Sequence, residues 1–175
     1  MAFFDNTLLL SNAQAITTTA ASTTVYDITG AGAGNAPSMT FGTGNAVGAD
    51  IGTGNGKEAL HAFFLVTTTG TGAGTITFQV QAAPASGNNA GTYVTLSASQ
   101  AFVGTTLTAG DVIDLPIPPY ASAAALIGPA MGQPRFYRFN YVVSGSATAT
   151  VSAYIGLNPP LGYISTQIGN NFVAV

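Results

Sequence analysis

Thr75-Ile76-Thr77-Phe78-Gln79-Val80-Gln81-Ala82 alternates apolar and polar residues without a break. Successive side chains of an extended chain point to opposite faces. Ile76, Phe78, Val80 and Ala82 therefore share one face, and Thr75, Thr77, Gln79 and Gln81 the other. This is the pattern of a strand with one face on a core. The same reading extends outward. Ala147, Ala149, Val151, Ala153 and Ile155 lie opposite Thr148, Thr150, Ser152 and Tyr154, and the small inward residues predict a closely packed second layer. Phe136 to Val143 sets Tyr137, Phe139, Tyr141 and Val143 against Arg138 and Asn140, an aromatic face that predicts a central core strand. Further strands are expected at Thr23 to Thr29, Leu60 to Thr67, Tyr93 to Leu96 and Asp111 to Ile117, divided by turn-rich segments. No helical apolar stripe is sustained between Glu58 and Asp111. The expected fold is all-β, a single jelly-roll-like β-sandwich of about seven or eight strands.

The chain has 175 residues, which suits one domain with one core. Around a sandwich expected over residues 23–156, the reading places an N-terminal arm at 1–22 and a C-terminal arm at 157–175. A long Gly-, Ala- and Asn-rich surface loop is expected at 30–56, where Met39, Phe41, Val47 and Ile51 are the possible anchors. A second irregular stretch runs from Pro118 to Pro134, and loops of such length usually contact a partner or are disordered. The ends are apolar but broken by Asn158-Pro159-Pro160 and Gly162. A mobile tail exposing Leu161, Tyr163, Ile164, Ile168, Phe172 and Val173 marks an interaction segment. Phe3, Phe4, Leu8 and Leu10 are the corresponding N-terminal candidates. The alternative for the tail is a last strand folded onto its own domain.

Charge is scarce. Three Lys or Arg and six Asp or Glu give a net charge of -3, with 47% hydrophobic residues, whereas an average soluble domain is roughly a quarter charged. The 52 residues between Glu58 and Asp111 carry no charge, and no Asp, Glu, Lys or Arg follows Arg138. Lys57, Arg135 and Arg138 are too few cations for the phosphate neutralisation that drives nucleic-acid binding. There are no cysteines, which excludes disulfides and thiolate metal sites. Leu8, Leu9 and Leu10 before Ala13-Gln14-Ala15 resemble a signal-peptide end. Asp5 and the three-residue apolar run argue against that reading. No stretch approaches a membrane span, and no Asn-x-Ser/Thr acceptor occurs. A neutral polar surface of this kind favours packing against protein.

Catalytic constellations do not assemble. His61 is the single histidine, it stands in an expected strand beside Phe63 and Phe64, and no G-x-S-x-G elbow accompanies it. Asp111 and Asp114 sit at i, i+3 and point to opposite faces of a strand. Turn capping at Gly110-Asp111 is the expected role there, with an ion pair to Arg135 or Arg138 the next possibility. Gly52-Thr53-Gly54-Asn55-Gly56-Lys57-Glu58 fails as a phosphate loop, because Ile51 and Glu58 stand where Gly and Ser or Thr are required. No His/Cys/Asp/Glu cluster has metal-ligand spacing. No catalytic residue, cofactor or metal is expected.

The segment Phe4-Asp5-Asn6-Thr7-Leu8-Leu9-Leu10-Ser11-Asn12-Ala13-Gln14-Ala15-Ile16, followed by Ala20 to Ile28, resembles the capsid cement (decoration) proteins of tailed bacteriophages. The likeness continues through Asp50-Ile51-Gly52-Thr53-Gly54, the Leu60 to Thr67 strand, Leu107-Thr108-Ala109-Gly110 and Arg135-Phe136-Tyr137-Arg138-Phe139-Asn140-Tyr141. Gly30 to Asn45 and Ala121 to Gln133 look longer than in that family. The resemblance implies a small jelly roll on the outside of an icosahedral head, bridging neighbouring major capsid proteins and resisting DNA pressure, without catalysis. It implies the major capsid protein and the chain itself as partners, as a homodimer first and a trimer next. It also implies an outer-capsid location, with the host cytoplasm during assembly. The rival expectation is a carbohydrate- or receptor-binding sandwich that stacks Tyr93, Tyr120 or Tyr154 on sugars, against which stands the absence of Trp. An enzyme is the third class.

Overall fold

The computed structural model describes residues 8–28, 60–87, 89–118, 120–128 and 134–156, and of residues 120–122 the backbone alone. The expected loop at 30–56 and the tail at 157–175 lie outside the described residues. Among the described residues eleven strands form in chain order: β1 Leu9–Ile16, β2 Ala20–Ala21, β3 Tyr26–Asp27, β4 His61–Thr71, β5 Thr75–Ser86, β6 Asn89–Ala90, β7 Val94–Ala98, β8 Phe102–Val103, β9 Val112–Pro116, β10 Pro134–Ser144 and β11 Thr148–Gly156. A 3-10 turn occupies Gly104–Thr106, and helix α1 spans Tyr120–Ile127. The smaller sheet has the order β1-β11-β4-β9. In the larger sheet β10 and β5 form the central pair; β2 and β3 add to β10, and β6, β7 and β8 add to β5. All pairings are antiparallel. The fold is an all-β sandwich.

The alternating stretches behave as their periodicity requires. On β5 Ile76, Phe78, Val80 and Ala82 are buried in the core, and on β10 Tyr137, Phe139 and Tyr141 join them. Phe64 of β4 reaches across from the smaller sheet. Its ring centroid lies 5.2 Å from Phe78, 4.7 Å from Phe139 and 6.0 Å from Tyr141, in tilted and edge-on geometries. Such offset contacts are the favoured arrangement of aromatic rings. The small residues Ala147, Ala149 and Ala153 belong to the same buried cluster, so small side chains beside the large rings let the two layers interdigitate.

At one end of the sandwich the backbone approaches itself too closely for side chains. Gly72 adopts φ +83°, and a Cβ there would strike the Ser146 carbonyl. Both the conformation and the contact require glycine.

Three expectations are corrected. First, residues 1–22 do not form an arm along their whole length. From Leu9 onward the chain is an edge strand, paired with β11 at Leu9↔Tyr154, Ser11↔Ala153 and Gln14↔Val151. Second, the strand expected from Thr23 to Thr29 is not continuous; over its described residues, 23–28, only Tyr26–Asp27 pair with β10. The reason is local competition for backbone groups: Ser22 Oγ donates to the Thr24 carbonyl and Thr23 Oγ1 to the Leu10 carbonyl, at 2.7 and 3.2 Å. Third, the stretch from Pro118 contains a helix. Ala121-Ser122-Ala123-Ala124-Ala125-Leu126-Ile127 is rich in the best helix former. Ala123 and Ile127, four apart, enter the core, and Gly128 at φ +92° ends the helix, its N–H bonded to the Ala124 carbonyl at 3.0 Å.

Candidate interaction surfaces

The N-terminal candidates separate into two groups. Leu10 is fully buried and so closed to a partner, whereas Leu8 packs against the same core while remaining partly exposed. Phe3 and Phe4 lie outside the described residues, as do Leu161, Tyr163, Ile164, Ile168, Phe172 and Val173 of the tail.

What Ser11 to Thr24 does is fasten the two sheets. Ala13 at φ 45° makes a bulge in β1, with its N–H on Ser152 Oγ at 2.9 Å. Around it, Ser11 Oγ donates to Gln14 Oε1 at 2.8 Å and meets Tyr141 Oη at 2.7 Å. Gln14 then spans back to the larger sheet: Nε2 donates to the Ala21 carbonyl at 2.8 Å, and Oε1 accepts from Thr23 N at 3.1 Å. Ser22 Oγ accepts from Phe139 N at 3.1 Å.

Burial pushes the Tyr141 hydroxyl far above its ordinary range, while the Ser11 hydrogen bond opposes that rise. A tyrosine pKa raised by folding contributes stability that is complete below about pH 10 and falls away as pH climbs toward the folded value. Tyr141→Phe is therefore expected to cost roughly 1 kcal/mol at pH 7, from the lost hydrogen bond. The same change should flatten the fall in stability above about pH 10. Urea midpoints measured at neutral and alkaline pH check both.

The outer face of the larger sheet carries a polar ladder. Gln81 Nε2 donates to Gln79 Oε1 and to Thr95 Oγ1, both at 3.2 Å. Asn140 Nδ2 donates to Gln79 Oε1 and Arg138 Nε to Gln81 Oε1, each at 2.9 Å. The Arg138 guanidinium lies 3.7 Å from the Tyr93 ring centroid, a cation–π contact. Burial raises the Tyr93 pKa and Arg138 partly offsets this. Amides do gather beside an aromatic here, which strand spacing alone did not reveal. Arg138 occupies one face of the Tyr93 ring. Tyr154 is buried and stacked on Phe63 at 5.3 Å, and the Tyr120 side chain lies outside the described residues.

The smaller sheet brings His61 to Asp114, with Nδ1 and Oδ1 at 2.6 Å, and stacks the imidazole on Phe63 at 5.9 Å. Among the described residues Asp114 is the hydrogen-bond partner of that ring. The expected turn capping at Gly110-Asp111 is present, with Asp111 Oδ2 accepting from Thr108 N at 2.7 Å; the alternative, an ion pair of Asp111 or Asp114 with an arginine, does not form among the described residues. Arg135 instead holds Asp27 in a two-pronged pair, Nε–Oδ1 and Nη2–Oδ2 each 2.9 Å. Hydrogen bonding to Asp27 raises the Arg135 pKa, and burial opposes it. Among the described residues no group of three or more His, Cys, Asp or Glu could hold a metal, and no helix is long and apolar enough to cross a membrane.

The five described charged side chains thus all have partners within the fold: Asp27 with Arg135, Asp111 with a backbone amide, Asp114 with His61, and Arg138 with Gln81 and Tyr93. Large apolar side chains are nearly as well covered, Val103 and Leu126 being the exposed ones among the described residues.

The sequence model of a family described as Bbp16 matches residues 10–155. The chain belongs to the Bbp16 family. The matched span starts inside β1 and ends inside β11, so the strand that sequence reading assigned to an arm is part of the family's common body. No curated protein matches the chain.

Proposed function

We propose that this member of the Bbp16 family is a structural virion protein that binds the outside of a phage capsid and cements neighbouring major capsid proteins. The observation that carries the reading is the engagement of every described charge within the fold. Asp27 and Arg135 cancel as an ion pair, and Asp111, Asp114 and Arg138 are held by hydrogen bonds, so the described surface presents few charges free to reach a partner. It suits a lattice in which contact is made by backbone, neutral side chains and apolar segments.

The body also guards its own edges. β1 carries the bulge at Ala13, and β9 is short and ends at Pro116, devices that blunt strand addition. Strand addition is then left to the segments beyond the body, where a neutral arm adds to an edge on a neighbouring capsid subunit. An interface of about 800 Å² per partner suffices for a stable contact, and repetition over the shell multiplies it. The chain passes repeatedly between the two sheets, which is compatible with a jelly roll, and a homodimer is the first expectation for the assembled state. This chemistry suits the outer capsid surface, reached after assembly in the host cytoplasm.

Quantitative mass spectrometry of purified virions tests the assignment. The chain is expected at a fixed, near-stoichiometric ratio to the major capsid protein; its absence from particles would refute the proposal.

A further inference from the structure

Phe63 on β4 lies opposite Tyr154 on β11, and the same transverse row continues to Leu9 on β1 and Asp114 on β9. This row is on the face of the smaller sheet turned away from the core. The alternate residues Ala62, Phe64, Ala153 and Ile155 are the ones in the core cluster. Yet Phe63 is 2% and Tyr154 6% exposed within the single chain, and Leu65, on the same outer face, is 7%. Neighbours in a sheet flank a ring without roofing it. The described helix does not roof it either, since α1 packs on β5, β7 and β10 of the other sheet.

We propose that this outer row is the docking site for the C-terminal segment of the same chain, residues 157–175. The inference concerns the isolated chain, from which the segment is released when it adds to a neighbour's edge, and it does not rest on the capsid reading. Three observations select this segment. It departs from Gly156, which pairs with His61 next to the row, so its origin is two residues from Tyr154. Asn158-Pro159-Pro160 and Gly162 are turn-forming residues close to that origin, and under the proposal it is the apolar Leu161, Tyr163 and Ile164 among and after them that meet the rings. The segment carries no Asp, Glu, Lys or Arg, which matches a row whose ionisable groups, His61 and Asp114, already satisfy each other. The docked segment makes a third layer and acts as a latch on its own sheet.

The absence of cysteine makes the test clean in the full-length protein. Asp114→Cys, at an exposed site in the row, is combined with Ile164→Cys, and disulfide formation is followed on non-reducing gels at low protein concentration. A control pair joins Ile164→Cys to Thr77→Cys on the outer face of the other sheet. Docking predicts a monomeric cross-link forming at least about tenfold faster than in the control, equivalent to about 1.4 kcal/mol of preference. Equal rates in the two pairs overturn the proposal. A covalent dimer in the first pair overturns it too, by assigning the tail to a second copy. Val112→Cys with Ile164→Cys repeats the test should the Asp114 change disturb folding.

Discussion

Replacing Phe64 by alanine is expected to destabilise the sandwich by about 3–5 kcal/mol, as for other buried Phe→Ala changes. Phe64 is fully buried and is the one ring of the smaller sheet that touches Phe78, Phe139 and Tyr141 together. Its removal leaves a cavity between two layers whose backbones are held by ladder hydrogen bonds and cannot close on it. Against a total stability of about 5–15 kcal/mol, the loss is a large fraction, and thermal unfolding should shift down by roughly 6–20 °C. Phe64→Leu keeps most of the volume and is expected to cost well under half as much. Calorimetry on the two variants decides; a loss below about 1 kcal/mol for the alanine change would mean that the rings are not the centre of the core.

The second large effect is electrostatic. Asp27 is fully buried and its Arg135 partner is 14% exposed, so neither charge is well reached by water. Arg135→Met is expected to cost about 3–5 kcal/mol, because it strips a buried carboxylate of its guanidinium. The Arg135 guanidinium also lies over Phe136, its carbon 4.7 Å from the ring centroid, a cation–π contact that methionine loses while keeping an apolar chain of similar length. The double change Asp27→Asn with Arg135→Met should cost less than the sum of the single changes, since no ion is left unpaired. Chemical denaturation of the three variants gives the coupling. Additive losses would show that the pair is not energetically linked.

Much of the architecture was legible where one face of a strand is buried and the other is not. Residues 75–82, 136–143 and 147–155 announced both their strands and their core faces, because period-two alternation maps directly onto burial. The N-terminal strand was misread as an arm because the bulge at Ala13 breaks its alternation, so Leu10 and Ser11 both end up buried. The outer row of the smaller sheet was missed for the opposite reason. Ala62-Phe63-Phe64-Leu65-Val66 is an unbroken apolar run, the mark of a strand covered on both faces, and that was the signal to follow. Of the charged groups, the turn cap at Asp111 was legible from Gly110-Asp111, whereas the long-range partners were not. Asp27 and Arg135 are 108 residues apart and meet only because β3 and β10 are neighbours in the larger sheet.

The central claim is that this protein joins a capsid lattice through neutral contacts. The measurement that tests it most directly is co-sedimentation of the purified chain with shells of the cognate major capsid protein, over about 0.1 to 1 M salt at neutral pH. The account predicts saturable binding whose affinity changes little across that range, because the described body carries few charges and each is held within the fold. Failure to bind, or release of most copies as the salt rises, would contradict it.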